Sequence, residues 1–335
     1  MSAAARGPRI GITLGDPRGI GPEVTAAALA SGAGEDVADG AGMASRHFLL
    51  VGPPELVPPP LLEDPRVELE SVGRWSGGAE AEAGRVSMAS VERGVELALE
   101  GAVDGLVTAP ISKAAIAAAG HPWPGHTEFL RDRCGVPDVT MIMGAESTPV
   151  GGALRIALLT VHVALSAVPD MLTGALIERR SRIAERALRE WWGIARPRLA
   201  YAGLNPHASE GGLFGDEEGR VLEPAIRRLA ADHGLEVSGP FPADSVFRRC
   251  IDGRADLVVA PYHDVGLAVL KTLAPHRGVN VTAGLPFPRT SPDHGTAFDV
   301  AGTGAADPGS MRAAIDACGR FCVNVASNPE RDDSR

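Results

Sequence analysis

With 335 residues and a formal net charge of −10, the chain is long for one simple core, and its acidity argues against nucleic acid or an anionic membrane as the main partner. Apolar content is ordinary at 44%, aromatic content is only 4%, and 41 glycines point to small residues packing helices on sheets rather than to an aromatic-rich β-sandwich. No apolar run is long enough to span a bilayer, MSAAARGPRI lacks the apolar stretch of a signal peptide, and four cysteines (Cys134, Cys250, Cys318, Cys322) form no CxxC pair; a soluble, cytoplasmic protein is expected.

In chain order, RIGITL (9–14) reads as a strand, 21–31 as a helix and HFLLVG (47–52) as a strand, followed by a proline-rich loop from Pro53 to Pro60. A helix at 87–100, a strand at DGLVTA (104–109) and a helix at 111–119, ended by Gly120, come next. Gly125-His126-Thr127-Glu128 opens a short helix. VTMIM (139–143) and LRIALLTV (154–161) read as strands, and 168–191 as one arginine-rich helix with Pro169 in its first turn. RLAYAG (198–203) and DLVVAP (256–261) are strands; 217–233, 264–272 and 309–322 are helices, the last bringing Cys318 and Cys322 one turn apart for packing. The tail beyond Asn328 is expected to be disordered. Strands that alternate with helices and are almost continuously apolar predict a doubly wound α/β architecture with parallel strands covered on both faces.

In open α/β sheets ligands bind beyond the carboxyl ends of the strands. Chemically suggestive residues cluster there: the glycine-rich GDPRGIGPE after the first strand, Lys113 after 104–109, His162 after 154–161, Asn205-Pro206-His207 after 198–203, and Tyr262-His263-Asp264 after 256–261. A lone histidine in such a place is more often a hydrogen-bonding surface residue. Three in equivalent positions favour a site for a divalent cation with open coordination positions. Imidazole donors suit zinc, cobalt, nickel or manganese. The amide groups opening the 125–128 helix can cradle a phosphate or carboxylate, and Lys271, Asn280 and Arg289 can complete a clamp. GDPRGIGPE does not have the GxGxxG spacing, so a dinucleotide fingerprint of the usual kind is absent.

Only two of the 32 basic side chains are lysine, Lys113 and Lys271; the other thirty are arginine. Lysine is a compact, titratable ammonium, whereas arginine is a permanently charged planar fork. Two lysines retained in so arginine-rich a chain point to positions that need a point charge or an exchangeable proton.

Together GDPRGIGPE, TAPISK with GHTEFL, VHVALS, GLNPHASEGGLFGDEE, GPFPADSVF, YHDVGLAVLK and GVNVTAGLPFPRTSPDHGTAFD resemble the 4-hydroxythreonine-4-phosphate dehydrogenase family of vitamin B6 biosynthesis, over about residues 9–325. The resemblance implies a two-lobed fold like isocitrate and isopropylmalate dehydrogenases. It implies lobes of about 1–130 with 275–328 and 131–274, a 329–335 tail, and a homodimer with its active site in the interlobe cleft at the dimer interface. It implies His162, His207 and His263 as ligands of a divalent metal (zinc foremost, or cobalt, magnesium or manganese), one ligand coming from the partner subunit. His126, Thr127, Lys271, Asn280 and Arg289 match the substrate-binding residues. NAD or NADP is the implied cofactor, with Gly284, Pro286, Asp293 and His294 as candidate contacts. The implied reaction oxidises the secondary alcohol of a small anionic phosphorylated hydroxy acid such as 4-phosphohydroxy-L-threonine, and decarboxylation follows. Lys271 is the candidate proton carrier, with Asp244 and Asp264 as helpers. Val265, Ala274-Pro275-His276, Pro288 and Pro292 depart from the family pattern and bear on the choice of substrate. The alternatives are a dehydrogenase of a phosphorylated sugar acid or a cis-dihydrodiol acid, a zinc-dependent lyase or aldolase, and a non-catalytic ligand-binding protein.

Overall fold

The computed structural model describes residues 7–32 and 46–327; the tail at 329–335 lies outside them. The chain divides into two compact units, one made of the residues up to Pro137 together with those from Leu285 onward, the other of Asp138–Gly284. In chain order the elements are β1 (Arg9–Thr13), α1 (Gly21–Ala30), β2 (His47–Gly52), β3 (Val67–Ser71), α2 (Glu80–Leu99), β4 (Gly105–Thr108), α3 (Lys113–Ala118) and α4 (His126–Arg133). Then come β5 (Thr140–Ala145), β6 (Leu154–Leu158), α5 (Val168–Met171), α6 (Gly174–Glu190), β7 (Arg198–Ala202), α7 (Glu223–His233) and β8 (Glu236–Phe241). They are followed by α8 (Ala243–Ile251), β9 (Leu257–Ala260), α9 (His263–Leu273), β10 (Val279–Ala283), β11 (Arg289–Pro292) and α10 (Gly309–Ser327).

The first unit carries a parallel sheet in the order β3-β2-β1-β4-β11. Its central strands are apolar throughout because helices cover both faces. Two glycines set the backbone geometry. Gly15, at φ +74, turns the chain after β1, and a Cβ there would lie 2.3 Å from the Pro110 carbonyl oxygen. Gly84 lets α2 cross α3 so closely that a Cβ would sit 2.0 Å from the Ala115 carbonyl oxygen. α10 lies against β4 with Cys318 and Cys322, both buried and both free, over Gly105.

The second unit carries its sheet in the order β10-β5-β6-β9-β7-β8. β6, β9, β7 and β8 run parallel, whereas β5 is antiparallel to both β10 and β6. This corrects the expectation of uniformly parallel strands: an apolar run records burial on both faces, and direction is not written in it. Ile156, Leu158, Val258 and Met143 pack against Val246 and Phe247 of α8 and Leu267 and Leu270 of α9. Each such side chain contributes about 1.5–3 kcal/mol on burial.

The expected single helix at 168–191 is two, because Leu172 and Thr173 are extended and Thr173 Oγ1 restarts the chain by accepting from Leu176 N at 3.2 Å. The lobe boundaries expected at 130 and 274 fall short of Pro137 and Gly284, because β10 is tied to β5 by its antiparallel ladder. Among the described residues no helix is long and apolar enough to cross a membrane.

Candidate functional site

Three of the parallel strands of the second unit, β6, β9 and β7, are neighbours, so their carboxyl ends share one edge of the sheet. His162 follows β6, His263 opens α9 after β9, and His207 follows β7. The His162 and His263 rings lie 5.4 Å apart, centroid to centroid. Two imidazoles on one tetrahedral cation, each with a metal–nitrogen bond of about 2.1 Å, have centroids roughly 5 Å apart. The pair therefore fits a metal. Asp264 Oδ1 lies 2.6 Å from His263 Nδ1. A carboxylate there holds the proton on Nδ1 and leaves Nε2 as the donor atom, the arrangement usual behind a metal-bound histidine.

His207 is not gathered with the other two. Its ring lies 6.1 Å from Phe214, and among the described residues no group of three His, Cys, Asp or Glu side chains is placed to hold a metal. His162 and His207 both take left-handed backbone conformations, at φ 54 and φ 55, and Ala208, Ser209 and Glu210 continue the left-handed turn. Non-glycine residues in that region cost of order 1–3 kcal/mol each and persist where surrounding contacts enforce them. Just ahead of the His207–Glu210 turn the chain is held by Glu218, 1% exposed, whose carboxylate accepts from Leu204 N and Asn205 N, both at 2.8 Å, and from Asn205 Nδ2 at 2.9 Å. Glu218 escaped the sequence reading. Its signal was a run of three acids, Asp216-Glu217-Glu218, in an otherwise glycine-rich stretch.

Asp244 is exposed in the first turn of α8, which follows β8 at the same sheet edge. Lys271 is exposed on α9, and the eight residues that separate it from His263 amount to about 12 Å along the helix axis. Asn280 lies in β10 opposite Met143, its Oδ1 buried with no hydrogen-bond partner. Gly284, at φ +100, packs so closely on the Asp138 carbonyl oxygen that a Cβ would lie 2.9 Å from it.

In the first unit His126 and Thr127 begin α4, and Arg289 begins β11. Arg289 is 1% exposed and donates to Thr108 Oγ1 at the end of β4. Burial pushes its guanidinium down to about 9, so it stays charged at neutral pH. His126 Nε2 is buried without a hydrogen-bond partner, and burial first, then the Arg289 charge, holds the imidazole well below 6.5. A neutral imidazole beside a buried cation is a donor pair suited to an anion, whose charge would relieve both.

Below pH 6.5 the unfolded chain takes up a proton at His126 that the folded state refuses, so stability falls as pH falls through that range. His126→Gln is expected to flatten the dependence of unfolding free energy on pH between about 7 and 5, read by urea denaturation. An unchanged slope would show that His126 is not held neutral.

A groove of about 550 Å³ in the same unit is lined by Pro17, Gly19, Glu23, Glu55, Ala301 and Gly302, among others. Its walls are the GDPRGIGPE loop running into α1, the 55–58 segment and residues 301–304. Gly302 N donates to Glu23 Oε2 at 2.9 Å, and a Cβ on Gly19 would lie 2.7 Å from the Thr296 carbonyl oxygen. Its size suits a nucleoside. Pro286, Asp293 and His294 belong to this unit but do not line the groove. Asp293 N donates to Ser310 Oγ at 2.8 Å, and His294 Nε2 is buried with no partner.

Residues 61–318 match the family model described as pyridoxal phosphate biosynthetic protein PdxA. A 4-hydroxythreonine-4-phosphate dehydrogenase from Paracoccus denitrificans is 42% identical over 312 residues, covering 91% of this chain and 94% of that protein. The crystal structure of 4-hydroxythreonine-4-phosphate dehydrogenase from Klebsiella pneumoniae superposes with a TM-score of 0.79 at 38% identity, over 96% of this chain and 99% of that one. A terephthalate 1,2-cis-dihydrodiol dehydrogenase from Burkholderia xenovorans superposes with a TM-score of 0.66 at 29% identity, over 94% and 98% of the two chains. Isocitrate dehydrogenase from Methylococcus capsulatus, at 15% identity, a TM-score of 0.50 and coverage of 96% and 86%, shares the fold alone.

Proposed function

The chain belongs to the PdxA family of pyridoxal phosphate biosynthetic proteins, and on that premise we propose that it is a metal-dependent NAD(P) dehydrogenase. It oxidises the secondary alcohol of a phosphorylated hydroxy acid such as 4-phosphohydroxy-L-threonine, with decarboxylation of the keto acid formed. The observation that carries the reading is the His162–His263 pair at the shared edge of three parallel strands, with Asp264 behind one ring.

When bound, a divalent cation supplies Lewis acidity toward an alcohol oxygen, and NAD(P) supplies a hydride acceptor. His162 and His263 would hold the cation, and His207 of a second copy of the chain completes the ligand set in the homodimer that this reading requires. The groove walled by Gly19, Glu23 and Gly302 would hold the nucleoside end of the cofactor. His126, Thr127 and Arg289 bind the substrate's phosphate, Lys271 and Asn280 its hydroxy-acid end. Lys271 carries the proton released from the alcohol or returned to the product carbon, and Asp244 assists.

The test is appearance of reduced nicotinamide when metal-loaded protein meets 4-phosphohydroxythreonine, 4-phosphoerythronate, 4-phosphothreonate and a cis-dihydrodiol acid, each with NAD and with NADP. No reduction with any of them sinks the reading. Lys271→Arg is expected to lower kcat by about a hundredfold with KM little changed, since arginine keeps the charge but exchanges no proton. Retained kcat would leave Lys271 a charge role only.

A further inference from the structure

Lys113 is left unexplained by the ligands and clamp residues above, and its position in α3 is locally unfavourable. It is the first residue of α3, with Ser112 as the cap accepting from Ala115 N at 3.2 Å. A cation at a helix N-terminus opposes the helix dipole, so helix stability gives no reason for a lysine there. Nor does an ion pair: Lys113 is exposed, and among the described residues no salt bridge within 4.0 Å involves it, although Glu128 is close by. The Lys113 Cε atom lies 3.8 Å from the point a Cβ on Gly125 would occupy, and Glu128 Oε2 lies 3.6 Å from that same point. Gly125 is the cap of α4, the helix that begins with His126 and Thr127.

The ammonium of Lys113, one bond beyond Cε, is therefore beside the open first turn of α4. That turn already presents unsatisfied backbone N–H groups. A second, independent sign of a ligand is the buried His126 Nε2, which has no hydrogen-bond partner. Arg289, buried and charged, acts on the same imidazole. Lys113 thus lies beside this helix terminus together with Glu128, and the Arg289 charge is felt by the imidazole that begins the helix. A carboxylate needs one cation, whereas a phosphate monoester near its dianion form needs two and offers three acceptor oxygens.

We infer that Lys113 is the second cation of a phosphate-binding subsite at the start of α4 and the residue that selects phosphorylated over unphosphorylated substrates. This rests on the proposed substrate class and extends it by one residue. Lysine rather than arginine suits the place, because a compact point charge on a flexible stem can close on a phosphate from one side while the α4 amides hold the other.

The test compares wild type, Lys113→Ala and Lys113→Arg as metal-loaded enzymes. Each is assayed with 4-phosphohydroxythreonine and with 4-hydroxythreonine, and titrated calorimetrically with inorganic phosphate. Lys113→Ala is expected to raise KM for the phosphorylated substrate and Kd for phosphate by about ten- to a hundredfold. The KM for 4-hydroxythreonine should stay unchanged, kcat should stay within about twofold, and Lys113→Arg should recover most of the loss. Unchanged phosphate Kd and KM in Lys113→Ala overturn the assignment; so does a fall in kcat at constant KM, which would make the lysine a proton carrier. Should the wild type turn over no phosphorylated compound, the proposed reaction fails, while the phosphate Kd of the two chains still decides Lys113.

Discussion

His162→Ala and His263→Ala are each expected to lower turnover by about a thousandfold or more, and to lose bound metal in parallel. The rings stand 5.4 Å apart, so on the proposed reading both would hold the same cation, and two ligands from a single chain could not spare one. What is lost is charge stabilisation at the reacting oxygen, and single preorganised groups of that kind already account for factors of about a hundred to a thousand. The check is metal content by mass spectrometry beside the rate of nicotinamide reduction. A variant that keeps both its metal and its rate would remove the centre from this edge of the sheet. Asp264 sharpens the reading, because it orients His263 without being a ligand. Loss of such an orienting partner costs about ten- to a hundredfold in affinity rather than all of it.

Glu218→Ala should have the largest effect on the fold. Its carboxylate is 1% exposed and satisfies two backbone N–H groups and the Asn205 amide. Truncation strands those donors, each worth about 1–3 kcal/mol when buried and unpaired. A destabilisation of about 3–5 kcal/mol follows, or roughly 10 °C in melting temperature. The left-handed turn at His207–Glu210 would relax as well, so the loop that presents His207 should become protease-sensitive before the rest of the unit. Glu218→Gln, which keeps one acceptor oxygen but turns an NH₂ toward a donor, should fall between. A melting curve for Glu218→Ala that coincides with wild type would show that the carboxylate does not hold the turn.

Much of this was legible in the sequence, and the failures have physical causes. Strands β1, β2, β4, β5, β6, β7 and β9 announce themselves because each is apolar on both faces. β3, VELES, and β8, EVSGPF, do not: they are edge strands, partly exposed, with charge or proline in them. β11, RTSP, is buried yet polar, because its polar side chains are hydrogen-bonded inside the unit, Arg289 to Thr108 Oγ1 and Thr290 Oγ1 to the Ala314 carbonyl. The expectation that ligands gather at strand ends placed His162 and His263 together. It could not place His207, which sits in a left-handed turn that follows a segment tied to an acid farther along the chain. The groove beside the GDPRGIGPE loop was not foreseen, for a similar reason. It brings together residues 17–26, 55–58 and 301–304, which are far apart in sequence, and a close approach such as Gly19 against Thr296 has no signature in the chain.

The crossing of α2 and α3 at Gly84 has a consequence for how this enzyme could drift toward new substrates. With no side chain between them, the two helices rest backbone on backbone, so the seat of α3 is dictated by α2 rather than by its own short loops. Any larger residue at 84 would wedge α3 outward and withdraw Lys113 from the start of α4. Discrimination for the phosphate could thus be weakened from the far side of a helix, by a change that touches no ligand and leaves every clamp residue in place.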